Sequence, residues 1–398
     1  MRRGSIRLLV PLLAALSVAM TACGGSDDGA SSDSGTIKIG AWIPLTGAQA
    51  SSGVPQAEGA KAYFAWLNDN GGVNGHQIEW IVKDNAYDPQ QTVQAARELV
   101  AQDHVVAIVN ANGTAPSEAA FPYVLNQSKV PIVDHYGGSA AWYDPPRPLL
   151  FGTQTLYEDQ AAAMATWAVE SGARKIMVVH DDPQAFANVA KQIEPAARQA
   201  DPSVSTTMLS VKLGTTDFAP AVSQVRNEAP DAVMLIMPTQ ETAAYLKEAK
   251  LQGVQVQAYG YSPTASATTV TLAGAAAEGF RAVSVVGVPS HTSPQMQQFR
   301  EVMAKYAPDQ PADFSTLLGY VNAAVFAEVA KTIDGPITSE SIANAYENAQ
   351  GISTGVAPDM SYSADQHLGT RQVQRTYVKD GQWVAEGGFF TPPERAAA

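Results

Sequence analysis

From Thr36 onward, short apolar runs alternate with longer stretches in which apolar residues return every three or four positions. The short runs predict strands at 36–45 (TIKIGAWIPL), 76–85 (HQIEWIVKDN), 104–112 (HVVAIVNAN) and 130–136 (VPIVDHY). The periodic stretches predict helices. Over 56–68, Ala60, Tyr63, Phe64 and Leu67 share one face. After Asp88-Pro89, a pair suited to opening a helix, Val93, Ala96, Leu99 and Val100 share another. A third helix is expected over 118–126. A second run of the same kind starts near Leu156, with strands expected at 174–182, 204–213, 231–238 and 254–262 and helices at 157–171, 186–199, 218–227 and 241–251. Continuous apolar strands separated by helices imply parallel sheets covered on both faces. The pattern then changes to helices at 295–306, 314–333 and 339–348 and an alternating stretch, 370–390, that turns at Asp380-Gly381 as a hairpin does. The fold class read from this pattern is α/β, two doubly wound parallel-sheet lobes with the chain crossing between them more than once.

The first 35 residues follow neither pattern. Arg2, Arg3 and Arg7 precede an apolar stretch, Leu8 to Met20, that is too short for a bilayer-crossing helix of roughly 20 residues. A positive start, a short apolar core and small residues after it describe a secretory signal peptide. Cys23 is the only cysteine in 398 residues, so it can form neither an internal disulfide nor a thiolate metal cage. Thr21-Ala22-Cys23 resembles the lipobox of bacterial lipoproteins, with Met20 where Leu is usual. Residues 1–22 are therefore expected to be removed, Cys23 to carry a lipid, and the polar segment through residue 35 to act as a tether. This places the protein outside the cytoplasm, anchored to the outer face of the cell membrane.

Charge narrows the partners. Losing the three arginines of residues 1–22 takes the formal charge from −13 to −16. Nucleic acid demands a basic face, which so acidic a chain does not offer. No G-x-S-x-G, Walker A loop, H-E-x-x-H or G-x-G-x-x-G occurs, and the six histidines are scattered. No cofactor, metal or enzymatic activity is expected. Asp181-Asp182 reads as a strand-end loop and helix cap rather than a carboxylate pair. Four loops at strand C-termini are rich in Gly, Ser and Thr: 44–53, 110–120, 134–142 and 260–267. In open α/β sheets ligands bind at such ends, where small residues and helix N-termini let backbone N–H groups approach an anion.

The stretches IKIGAWIPLTG (37–47), GGVNGHQIEWIVKDNAYDPQQTVQAARELV (71–100), ARKIMVVHDD (173–182) and DFAPAVSQVRNEAPDAVMLI (217–236) resemble the Leu/Ile/Val-binding type of periplasmic solute-binding protein, which serves ABC importers. The resemblance runs from about Ile37 to Phe390, and NGGVNG…DNAYDP is its most specific part. It implies a type I periplasmic-binding fold with lobes at 36–153 plus 286–358 and 154–285 plus 359–392. Three crossovers join the lobes near 152–156, 281–287 and 353–365, with a ligand cleft between them that closes on a small solute. The implied partners are the solute, ABC permease subunits and, through Cys23, the membrane; a monomer is expected.

Site residues carry over one at a time. The Ser that holds a ligand carboxylate in relatives falls on Thr114, after Asn112 and Gly113. The next loop's contacts fall on Tyr136 and Gly138, an aromatic of the first loop on Ser52, and an aromatic after the HD strand on Phe186. A further contact falls on Pro238 or Thr239. The Glu that pairs with a ligand ammonium falls on Ser262, which has no carboxylate. Either another acid, Asp134 or Asp182, takes that role, or the ligand is an amide, a urea-like solute or an aromatic carboxylate instead of an amino acid. The same fold also serves ligand sensors.

Overall fold

The computed structural model describes residues 35–47 and 49–395. Cys23, the expected signal peptide and nearly all of the tether lie outside the described residues. Five strands form a first sheet: β1 (Ile37–Ile43), β2 (Ile78–Asp84), β3 (Ile108–Val109), β4 (Ile132–Val133) and β5 (Leu150–Phe151). They run parallel in the order β2-β1-β3-β4-β5. A second sheet holds β6 (Lys175–Asp181), β7 (Ser205–Val211), β8 (Ala232–Ile236), β9 (Gln257–Gly260), β10 (Arg281–Ser284), β11 (Val373–Lys379) and β12 (Gln382–Phe390). Its parallel part, β7-β6-β8-β9-β10, repeats the winding order of the first sheet, and β11 and β12 extend it as an antiparallel hairpin. Each sheet therefore reverses its winding once, between β1 and β3 and between β6 and β8. At such a point successive loops leave toward opposite faces and open a crevice at the strand ends.

The apolar runs form these strands because both sheet faces are covered. Every residue of β8 is buried, and Ile39, Trp42 and Ile43 of β1 are sealed from solvent. At the edge, β7 has no fully buried residue and exposes Ser205, Thr207, Met208 and Ser210. The hairpin turns at Asp380 and Gly381, with φ of 52° and 72°, the left-handed pair that a two-residue turn needs.

The chain passes between the sheets three times: from β5 to the helix Tyr157–Glu170, from β10 to the helix Pro294–Tyr306, and from the helix Ser339–Asn348 to β11. The passages are bonded to one another. Gly152 N–H donates to His367 O at 2.8 Å, Gly369 N–H to Gly152 O at 2.8 Å, and Gly287 N–H to Val356 O at 2.7 Å. The helix Phe314–Ala330, buried around almost its whole circumference, returns to pack on the helix Ala50–Asp69. Asp313 caps it, accepting from Ser315 N–H at 3.0 Å and Thr316 N–H at 3.1 Å. The two helices cross at glycines: a Cβ on Gly319 would run into the Gln56 carbonyl oxygen, and one on Gly59 into that of Thr316.

Several elements differ from the sequence reading. The helix expected at 56–68 starts at Ala50, with its first turn pressed on the loop after β1, where a Cβ on Gly53 would meet the Pro44 carbonyl. The helix expected at 118–126 starts at Thr114 and widens into a π-helical turn at Pro122, which has no N–H to give. The stretch 186–199 is two helices, Gln184–Ala190 and Ile193–Ala200. The two-residue β5, the four-residue β10 and the helix Ala267–Ala273 carry too little pattern to be read.

Candidate functional site

On the first sheet, the turn after β3 is held from several sides. Gln56 Nε2 donates to Asn110 O at 3.0 Å and to Asn110 Oδ1 at 2.7 Å. Asn322 Nδ2 donates to the same Oδ1 at 2.8 Å, and Asn112 Nδ2 donates back to Gln56 Oε1. Buried amides of the two crossing helices thus fix where the turn ends. Gly113 follows with φ of 111°, and a Cβ there would press on Pro116 and Tyr87 at 3.2 Å, so a side chain is excluded twice over. Thr114 then opens the helix Thr114–Phe121, whose first N–H groups have no partner inside the helix. The Thr114 amide lies against the Tyr87 hydroxyl, which burial pushes up to about 12. The loop after β4 is tied to this turn by Tyr136 N–H to Ala111 O at 2.7 Å, and to the first crossing by Tyr157 N–H to Gly138 O at 2.8 Å.

These turns face a cavity of about 250 Å³. Its first wall is Gln49, Ser52, Tyr87, Asn112, Gly113, Thr114, Glu118, Tyr136 and Gly138. Its second wall comes from the loops after β6, β8 and β9: Pro183, Phe186, Pro238, Thr239, Tyr261 and Pro263, with Tyr157 and Glu158 beside them. The walls are the strand ends on either side of both winding reversals. Tyr157 and Tyr261 meet edge-to-face at 5.3 Å. Two side chains are committed within the walls: Thr239 Oγ1 donates to Pro263 O at 2.7 Å, and Ser52 Oγ to Gln49 O at 3.0 Å.

The structure brings together eight of the nine expected contact residues: Ser52, Asn112, Gly113, Thr114, Tyr136, Gly138, Phe186 and Thr239 all line this one cavity. Ser262 does not. Its N–H donates to Gln160 Oε1 at 2.9 Å, which turns the residue inward, fully buried between the lining residues Tyr261 and Pro263. Neither acid considered in its place reaches the cavity. Asp134 is sealed beneath the first crossing, accepting from Thr153 and Tyr346, and burial raises its carboxyl to about 7. Asp182 is exposed and accepts from Leu213 N–H at 3.1 Å. Asp181 faces Glu241 instead of capping a helix, and burial and then that neighbour push its carboxyl up.

The sequence reading missed Tyr87, Glu118, Tyr157, Glu158 and Tyr261. Tyr87 stands inside DNAYDP, which reads as the approach to a helix cap. Tyr157 and Glu158 open a helix, where an acid is an ordinary first-turn residue. Glu118 accepts from Trp142 Nε1 at 2.8 Å. Glu158 is 7% exposed; Oε1 accepts from Ala140 N–H at 3.2 Å, and Oε2 has no partner among the described residues. Burial raises its carboxyl above the usual range, against the N–H bonds that favour the ion. Among the described residues no Lys, Arg or His lines the cavity.

A family profile described as "Periplasmic binding protein" matches residues 36–382. The Leucine-, isoleucine-, valine-, threonine-, and alanine-binding protein of Pseudomonas aeruginosa is 27% identical over 259 residues, covering 62% of this chain and 66% of the relative. A possible leucine/isoleucine/valine-binding protein from Rhodopirellula baltica superposes with a TM-score of 0.81 at 20% identity, covering 90% of this chain and 98% of the other. A fatty acid ABC transporter substrate-binding protein from Thermomonospora curvata does so with 0.81 at 23% identity, covering 89% and 92%. At these identities the superpositions speak for the fold alone.

Proposed function

Since the chain belongs to the periplasmic binding protein family, whose members bind solutes and do not turn them over, we propose that it is the substrate-binding lipoprotein of an ABC importer. In this reading it is exported, held to the membrane by a lipid on Cys23, and takes a small carboxylate-bearing solute of the amino-acid kind. The observation that carries the reading is the single cavity lined by the strand-end loops of both sheets. At about 250 Å³ it is smaller than the pockets of roughly 300–1,000 Å³ that hold drug-sized ligands. A solute there touches both lobes at once, so binding favours the closed arrangement over an open one. The closed form is what the permease receives.

The roles follow from the walls. The Thr114 hydroxyl and the Ala115 N–H in the first turn of its helix take the ligand carboxylate, as helix N-termini take anions. Asn112, Tyr136 and Gly138 shape that end, with Ser52 at its edge. Phe186, Pro183 and Pro238 offer an apolar surface for a side chain, next to Thr239. The Pseudomonas aeruginosa relative, named for Leu, Ile, Val, Thr and Ala, points to branched or small amino acids. The inward-turned Ser262, which has no carboxylate to offer an ammonium, favours a second reading in which the ligand is a carboxylate without an amine.

A thermal-shift panel on the purified protein tests this, using amino acids, amides, urea, 2-oxo acids and aromatic acids. A ligand at 1,000 times Kd stabilises the fold by about 4 kcal/mol. Branched or small amino acids are expected to raise Tm; no shift with any member of the panel would refute the reading. For the anchor, Cys23→Ala is expected to move the protein from the membrane fraction to the medium, and continued membrane retention would count against lipidation.

A further inference from the structure

Where the loops after β6 and β8 leave the second sheet, two carboxyl groups meet. Asp181 ends β6 and is sealed from solvent; Glu241, in the first turn of the helix Thr239–Leu251, is more than nine-tenths buried. Neither oxygen of Asp181, nor Oε2 of Glu241, has a hydrogen-bond donor among the described residues. The two side chains lie within hydrogen-bond reach of each other. Two carboxylates cannot make that bond, because an ionised carboxylate only accepts. Sealed side by side they also repel, which holds one of them neutral. A single proton answers both difficulties: it removes one charge and supplies the O–H that the remaining carboxylate accepts.

The surroundings say which group carries it. Gly214 N–H, in the turn after β7, donates to Glu241 Oε1 at 2.8 Å and so favours the charge on Glu241. Asp181 accepts from no N–H among the described residues. The proton therefore belongs to Asp181, whose carboxyl is pushed up by burial first and then by Glu241. Asp182 adds a third negative charge; it is exposed and accepts from Leu213 N–H at 3.1 Å. His180, next on β6, turns Nδ1 to the Asp181 carbonyl oxygen at 2.7 Å. Tyr261, from the loop after β9, also feels Asp181, and burial pushes its hydroxyl up. Among the described residues no Lys or Arg bears on either carboxyl.

We propose that Asp181 and Glu241 share one proton, and that the bond it makes positions the second wall of the cavity by holding the loops after β6 and β8 together. Pro183 follows Asp181 by two residues and Thr239 precedes Glu241 by two, and both line the cavity. The pair thus acts on the wall without lining it. Gly214 and Leu213, bonded to Glu241 and Asp182, draw the turn after β7 into the same knot. Loss of the proton leaves two buried charges of one sign between these loops and drives them apart. The consequence for binding rests on the reading of the cavity as the ligand site; the shared proton does not.

Urea unfolding of the purified protein between about pH 6 and 8 tests the proton. The native pair keeps a proton that carboxyls of the unfolded chain, at about 4, have lost. Its contribution to stability is full below about pH 4 and is lost as pH rises toward the raised native value. One such proton lowers the folding constant about tenfold per pH unit. Asp181→Asn donates an amide N–H to Glu241 and has no proton to titrate. Its folding constant is expected to fall about tenfold less per pH unit than that of wild type; Asp134, present in both, cancels. Equal slopes would overturn the proposal. If Asp181→Asn does not fold, Glu241→Gln is read in the same way. Stabilisation of wild type by calcium or magnesium that Asp181→Asn lacks would also overturn it, since a metal ion would then join the carboxyls. Amide hydrogen exchange over 182–189 and 238–245, compared at one pH, tests the positioning. It is expected to quicken about tenfold in Asp181→Ala, as when one buried bond is lost, and to stay close to wild type in Asp181→Asn. L-Leucine, titrated by calorimetry, is expected to bind Asp181→Ala more weakly than wild type and Asp181→Asn about as well. Unchanged exchange or unchanged leucine affinity in Asp181→Ala would overturn the positioning role. Failure of leucine to bind wild type would count against the reading of the cavity, while the slopes and the exchange still decide the pair.

Discussion

Gly113 and Thr114 show how a backbone conformation and a hydroxyl divide one task. Gly113, at φ of 111°, brings the chain round so that Thr114 starts its helix facing the cavity. Thr114→Ala is expected to weaken ligand binding by about 1–3 kcal/mol, the cost of leaving a buried partner unpaired, and Thr114→Ser to restore most of it; titration calorimetry measures both. Asp134 makes a different prediction. Its carboxyl, at about 7 in the fold against about 3.9 in an unfolded chain, binds a proton in the native state that the unfolded state has already lost. Its contribution to stability is therefore fully present below pH 4 and lost as pH rises toward 7. Asp134→Asn should flatten that fall, seen as a Tm that changes less between pH 5 and 8 than in wild type. At this scale the sequence points to Asn112, Gly113 and Thr114 through the family resemblance, because a Gly- and Thr-bearing turn after an apolar run is by itself also an ordinary strand-to-helix connection. Glu158 is hidden, because only the burial of its wall separates it from an acid placed to suit a helix dipole.

The strands of the two parallel runs are legible because a strand buried on both faces must be apolar throughout, as β8 is. Short elements escape this logic. β5 has two residues and takes its place from β4 and the first crossing rather than from its own composition. The crossing of the helices Ala50–Asp69 and Phe314–Ala330 is equally silent, since Gly59 and Gly319 read as weaknesses within helices. In the fold they are the contact itself. Gly319→Ala is expected to cost about 1–3 kcal/mol as the helices are forced apart, measured as a lower urea midpoint. Because the same helices carry Gln56 and Asn322, which hold Asn110, it should also weaken ligand binding. Wild-type stability in Gly319→Ala would mean that the helices can separate without loss.

Across the whole described chain, the lobes also touch away from the crossings, where Asp313 Oδ2 accepts from Ala267 N–H at 3.3 Å while its other oxygen caps a helix of the first lobe. Asp313→Ala is expected to lose about 1 kcal/mol of capping and to open the unliganded protein, increasing its radius of gyration in solution scattering. An unchanged radius would leave the residue with capping alone. The helix that Asp313 caps also bears on how the protein is made. Tyr63 and Phe64, near the start of the fold, find their aromatic partners in Tyr320 and Phe326 of that helix. During synthesis all five strands of the first sheet leave the ribosome long before the segment that covers them. Residues 157–284, by contrast, supply the whole parallel part of the second sheet in one continuous stretch. Contacts between distant parts of a chain form late, so the lobe that begins first is completed only after the parallel part of the second. A nascent chain halted before residue 314 would hold a nearly complete second lobe beside a first lobe still open to aggregation.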